Sequence, residues 1–167
     1  MDEGMNKNES MKSEYLNMQI AIELAKKSID KQNGGPFGAV IFKDGKLIGK
    51  GINQVTFLND PTAHAEVNAI RDACQNLKTF DLSGAEIYTT CEPCPMCLGA
   101  IYWAKIEKIF YATNREDAAN AGFIDDFIYK EFSLPSEKRI LTSTQMNREE
   151  AVKVFDIWNK KDDKITY

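Results

Sequence analysis

The sequence predicts an α/β protein, a three-layer αβα sandwich around a mixed central sheet, and three observations predict it. An apolar hairpin with Asp44-Gly45 at its tip follows a first helical segment. Segments of strand and helical period then alternate. No internal repeat, low-complexity tract or interdomain linker interrupts them, and 167 residues with 43% apolar content suit one domain with its own core. A leading hairpin followed by alternating helix and strand implies a mixed sheet covered by helices on both faces.

The elements follow in order. From Tyr15 to Gln32, Tyr15, Met18, Ile22, Ala25 and Ile29 recur at helical spacing, and Leu16, Ile20 and Leu24 widen that face. Lys26, Lys27 and Lys31 suit the negative helix end, and Asn33-Gly34-Gly35-Pro36 stops it. Phe37 to Phe42 is an apolar strand. Asp44-Gly45 is a hairpin turn in which both central residues need positive φ, and Leu47 to Ile52 returns. A loop with an Asp60-Pro61 break leads to a helix over about Ala63–Leu77. Ile87–Cys91 is a third strand, Pro93 prepares a helix over about Cys94–Trp103, and Ile106–Thr113 is a fourth strand. Short helices are expected at Asp117–Ala121 and Phe127–Glu131. A last one runs from Met146 to Trp158 with Val152, Phe155 and Trp158 on one face.

Charge and composition exclude several classes. The net charge is −4, and Lys26-Lys27, Lys105, Lys108 and Lys160-Lys161 are scattered, which disfavours a polynucleotide partner. No apolar run is long enough to span a bilayer. Met1–Ser13 is polar, lacks the apolar centre of a signal peptide, and reads as a flexible extension before a domain at 14–167. Three of the four cysteines (Cys91, Cys94 and Cys97; the fourth is Cys74) fall within seven residues. That is metal-site clustering in a reducing cytoplasm, not a disulfide framework.

The chemistry sits in His64-Ala65-Glu66 and Pro93-Cys94-Pro95-Met96-Cys97. His64 is the only histidine. One imidazole and two thiolates form a three-ligand zinc site, one ion per subunit, with a fourth position left for water. Cys94 and Cys97 share a face in the first turn of their helix, where free N–H groups and the dipole favour thiolates. Positions 64 and 66 lie roughly 200° apart on a helix, so Glu66 suits the water better than the metal. Zinc with two thiolates and a neutral imidazole is formally uncharged and acidifies its water weakly. A proton acceptor is therefore needed, and Glu66 supplies one. Other readings compete. A lone His can be structural, a Cys-x-x-Cys can be redox-active, and Cys91 as a fourth ligand would close the site into a structural zinc module. Cys74 reads as core.

P-T-A-H-A-E at 61–66 and C-E-P-C-P-M-C at 91–97 resemble the zinc signature of the cytidine-deaminase-like superfamily. The signature is shared by cytosine, tRNA adenosine and nucleoside deaminases, so it does not choose the substrate. G-G-P-F-G-A-V-I at 34–41, C-L-G-A-I-Y-W-A at 97–104 and D-A-A-N-A-G-F-I-D-D-F-I-Y-K-E at 117–131 are similar to the bacterial guanine deaminase branch. That resemblance implies guanine as substrate, xanthine and ammonia as products, and a homodimer whose C-terminal tail is swapped onto the partner. It implies zinc at His64, Cys94 and Cys97, with Glu66 as proton shuttle and Asp125 receiving the reacting amino group. It further implies purine contacts from Asn53, Phe37, the Ala65 N–H, Trp103 and, from the neighbouring subunit, Tyr167. The residues alone also allow a turn role for Asn53, core roles for Phe37 and Trp103, a capping pair at Asp125-Asp126 with Asp126 as the alternative partner, and a frayed end at Tyr167.

Overall fold

The computed structural model describes residues 7–30 and 34–167. The order is α1 (Lys7–Asp30), β1 (Gly38–Lys43), β2 (Lys46–Ile52), α2 (Val55–Leu58), α3 (Ala65–Leu77), β3 (Ala85–Cys91), α4 (Pro95–Trp103), β4 (Lys108–Thr113), α5 (Arg115–Asn120), α6 (Asp126–Ser133) and α7 (Arg148–Asn159), with a 3-10 turn at Ser136–Lys138. The chain divides into two compact units, one up to Asp125 and one from Asp126 to Tyr167.

The first unit holds the mixed sheet, in the order β2-β1-β3-β4. β1 pairs antiparallel with β2 and β3, and β3 runs parallel to β4. The hairpin turn is as the sequence requires, with Asp44 at φ 50° and Gly45 at φ 70°. β1 is apolar on both sides because both sides are covered. Ala39 and Ile41 join Ile87, Ala65, Ala69, Ala73 and Ile101 under α3 and α4. Val40 and Phe42 join Tyr88 and Ala21 under α1. The three layers are therefore as expected.

α3 lies unusually close to β2. A Cβ on Gly51 would come within 2.1 Å of the Ala65 carbonyl oxygen, and one on Gly49 within 2.5 Å of the Ala69 oxygen. Those glycines, with Ala65, Ala69 and Ala73 opposite, bring the start of α3 down onto the sheet.

Three expectations are corrected. α1 begins at Lys7, so residues 7–13 are helical, not an extension; Ser10 donates to Glu14 one turn on. Residues 1–6 and the expected end of α1 at 31–33 lie outside the described residues. The buried face of α1 is Asn17, Ala21, Ala25 and Ser28, while Tyr15, Leu16, Ile20 and Ile29 are exposed. The reason is close approach: a Cβ on Gly38 would meet the Ala21 oxygen at 2.3 Å, so small residues face the sheet. The short α2 (Val55–Leu58) runs into the stretch from Phe57 to Thr62 expected to be loop.

The second unit contains α6, the 3-10 turn and α7. Arg139 Nε donates to the carbonyls of Glu131 and Leu134, and the Glu131 carboxylate accepts from the Ile140 N–H. None of its residues is buried, and Phe132, Ile140, Leu141, Phe155 and Ile157 are exposed.

Candidate metal centre and active site

Two helix starts build the centre. His64 is the cap residue of α3 and Cys94 the cap residue of α4, both with extended backbone. Asp60 fixes the approach to His64: its carboxylate accepts from the Thr62 N–H (2.8 Å) and hydroxyl (2.7 Å), which holds it below the usual carboxylate range. Asn68, one turn into α3, donates back to the Ile52 and Ala63 carbonyls. On the other side, the Glu92 N–H continues the parallel ladder to the Thr113 carbonyl, and Pro95 opens α4 at no hydrogen-bond cost.

The ligand atoms converge. His64 Nδ1 lies 3.6 Å from Cys94 Sγ and 3.5 Å from Cys97 Sγ. Zinc at about 2.0–2.1 Å from nitrogen and about 2.3 Å from sulfur, at tetrahedral angles, sets N–S separations of about 3.5–3.6 Å. The donor set and its spacing therefore fit a zinc ion. Among the described residues, His64, Cys94 and Cys97 are the one group of metal-ligating side chains whose donor atoms all lie within 4.8 Å. Cys91 is outside it: its buried thiol donates to the Asn114 carbonyl and is pushed up by burial, so the closed Cys₃His alternative is not what the chain builds. Cys74 packs half-buried against the core under α3.

The hydrogen bond between the two thiols drives their acidities apart. A hydrogen bond from Cys97 holds the Cys94 thiol down at about 4, with His64 assisting. Cys97 is pushed up, because it is the donor of that bond and is buried. Cys94 and Cys97 would hold a dication as thiolates, so metal affinity would be coupled to their deprotonation.

Glu66 is buried in the first turn of α3. Burial raises its carboxyl, and a hydrogen bond from Cys97 opposes that rise. It stands at the cluster without belonging to the ligand set. Ala65 is the first helical residue of α3, so its N–H has no partner within the helix.

The other expected residues separate. Asn53 is 5% exposed, and its Oδ1 accepts from the N–H groups of Gly35 (3.1 Å) and Val55 (3.3 Å). The side-chain NH₂ is thereby the group it can offer to a ligand. Phe37 packs partly into the core and meets Phe123 edge-on, ring centres 4.9 Å apart. Asp125 is half-buried; burial and then the Cys94 charge raise its carboxyl, and it acts in turn on His64. Asp126 instead pairs with Lys130 at 2.5 Å in the first turn of α6. Trp103 is 67% exposed, which removes the core alternative for it, and Tyr167 in the second unit is 76% exposed. Two residues had not been singled out: Phe123, and Ser28, a fully buried hydroxyl behind Asn53.

An α/β sandwich that gathers one imidazole, two thiolates and a buried carboxylate at two helix starts defines a zinc-dependent hydrolytic deaminase. Residues 11–113 match the family model described as the cytidine and deoxycytidylate deaminase zinc-binding region, and the chain belongs to that family. It is 51% identical to the guanine deaminase of Bacillus subtilis (strain 168) over 149 residues, covering 87% of this chain and 96% of the relative. The X-ray structure of guanine deaminase from Bacillus subtilis is similar with a TM-score of 0.88 at 47% identity, over 98% of this chain and 99% of that one. A tRNA-specific adenosine deaminase of Aquifex aeolicus is 44% identical over a shorter stretch, 61% of this chain and 66% of the relative.

Proposed function

We propose that the protein hydrolyses guanine to xanthine and ammonia. The observation that carries this is the similarity to a guanine deaminase over almost the whole of both chains, with the zinc-type cluster and Glu66 set inside the matched region. The tRNA-specific relative matches a shorter stretch, and this chain is acidic overall.

His64, Cys94 and Cys97 would hold the zinc, which when bound supplies an acidified water beside the substrate. Glu66 takes a proton from that water and passes protons to the ring nitrogen and then to the departing amine. Its burial suits a group that must hold a proton and release it within one cycle. A C–O bond forms at C2 and the C–N bond breaks; water and guanine become xanthine and ammonia. Asp125 accepts from the amino group and assists its departure. The Asn53 NH₂ donates to an acceptor on the purine, since its oxygen is already bonded twice. The Ala65 N–H adds a second donor. Phe37, steadied by Phe123, stacks on the base, and Trp103 forms a wall.

The assembly belongs to the same reading. A 42-residue unit with no buried residue and a row of exposed apolar side chains (126–167) suits a tail covered by a partner subunit. A homodimer with Tyr167 closing the neighbouring site follows. The free cysteines suit a reducing cytoplasm and a role in purine breakdown or salvage. Guanine incubated with zinc-loaded protein in heavy-oxygen water tests the chemistry: xanthine should carry one heavy oxygen at C2, with one ammonia released per turnover. Xanthine without the label would rule out direct hydrolysis.

A further inference from the structure

Ser28 is a fully buried hydroxyl one turn beyond the small apolar Ala21 and Ala25 on the buried face of α1. It continues the buried stripe of Asn17, Ala21 and Ala25 on α1 and is 0% exposed. Its Oγ donates outside its own helix: it lies 2.9 Å from the Asn53 carbonyl oxygen and 3.2 Å from the Gly35 carbonyl oxygen. The Gly35 N–H in turn donates to Asn53 Oδ1 at 3.1 Å. The one hydroxyl proton is shared between the two carbonyls, nearer to Asn53, and with the Gly35 N–H bond these contacts tie Ser28, Asn53 and Gly35 into a ring.

The ring has a direction. Asn53 Oδ1 faces two backbone donors, Gly35 and Val55, so the amide is held with its NH₂ as the outward group. The approach depends on the two glycines. A Cβ on Gly34 would sit 2.2 Å from Asn53 Oδ1, and one on Gly35 would sit 2.8 Å from the Phe37 ring. The Asn53 N–H donates to the Phe37 carbonyl at 3.0 Å, so the ring also grips the segment that carries the stacking aromatic.

We infer that Ser28 is a positioning residue for base recognition: through the Gly35 and Asn53 carbonyls it holds the Asn53 amide, NH₂ outward, against the substrate. Its hydroxyl bonds to the Asn53 and Gly35 carbonyls and not to a metal ligand, so it acts on binding and not on proton transfer. This rests on the reading of Asn53 as a base contact.

The test is a double-mutant cycle on the zinc-loaded full-length protein, with kcat and KM for guanine measured for wild type, Ser28→Ala, Asn53→Ala and the double variant. Ser28→Ala should raise KM about tenfold, the size of one net hydrogen bond, and leave zinc content and kcat within about threefold. In the Asn53→Ala background the same change should move KM less than about twofold, because the amide it holds is gone. Ser28→Cys, which keeps size with a weaker donor, should fall between. An unchanged KM in Ser28→Ala overturns the inference, as does an equal rise in both backgrounds or a loss confined to kcat. If Ser28→Ala does not fold, Ser28→Cys decides: a wild-type KM there overturns it. Wild-type kinetics in Asn53→Ala would instead remove the base-contact reading and the inference with it, whereas an impaired Asn53→Ala with a silent Ser28→Ala removes the inference alone.

Discussion

His64 and Cys94 occupy equivalent places in two different helices: each is the residue before the first turn, and His64 Nδ1 lies 3.6 Å from Cys94 Sγ. Two helix starts meeting at one point give a cluster of thiolates an electropositive surround. They also put the residues that follow, Ala65 with an N–H that has no partner within the helix and Glu66 with its carboxylate, at the same point. The ligand cluster and the buried carboxylate are thus set by one geometric event.

Glu66→Gln separates those two jobs. Zinc content should stay at one per subunit while turnover falls roughly 10²–10⁴-fold. Stability adds a sign. Burial raises the Glu66 carboxyl in the folded, metal-free protein. A carboxyl raised by folding stabilises below its unfolded pKa, and that contribution is lost as pH rises through the folded value. Metal-free Glu66→Gln should therefore outlast metal-free wild type in thermal denaturation near pH 8, with the gap closing toward about pH 4.

Cys94 should be the reactive thiol of the metal-free protein. Held at about 4, it is ionised at about pH 6, where an ordinary thiol is almost wholly protonated. Mass-mapped alkylation at that pH should label Cys94 ahead of Cys74, Cys91 and Cys97, and added zinc should suppress it. Equal labelling of Cys91 would contradict the assignment.

Gly51→Ala tests the packing that seats α3. The new Cβ would meet the Ala65 carbonyl oxygen, which is backbone and cannot swing aside. Denaturant unfolding should show a loss of about 1–3 kcal/mol. Because α3 carries Glu66 and is capped by His64, kcat should fall as well.

Deleting Asp162–Tyr167 tests the tail. If it closes a partner's site, KM for guanine rises while zinc content and the sheet-bearing unit are unaffected. Unchanged guanine kinetics would remove Tyr167 from the site.

Much of this was legible in the sequence because it is local. Asp44-Gly45 needs positive φ, and the turn forms there. Pro93-Cys94-Pro95-Met96-Cys97 specifies a helix start with two sulfurs on one side, and it forms as such. What the sequence hid depends on approach between distant segments. The large residues of α1 suggested its buried face. The sheet seats the small ones deepest, because Gly38 admits the helix backbone, and of the large ones Met18 and Leu24 pack beside them. The same closeness conceals Gly49 and Gly51, whose missing side chains are the contact. Ser28 was the one findable omission: it lies in register with Ala21 and Ala25, and a hydroxyl in that stripe signals acceptors arriving from elsewhere. Asp125 and Asp126 are adjacent and chemically alike, so only their surroundings part them: Asp125 feels Cys94, and Asp126 pairs with Lys130.

The most direct measurement is a substrate panel. Zinc-loaded protein and its Glu66→Gln variant are incubated separately with guanine, adenine, cytosine and guanosine, and ammonia and product mass are followed. Guanine should become xanthine with the wild-type protein, the other three should be turned over far more slowly or not at all, and Glu66→Gln should be close to inert. Ammonia from cytosine or adenine with guanine left intact would contradict the account.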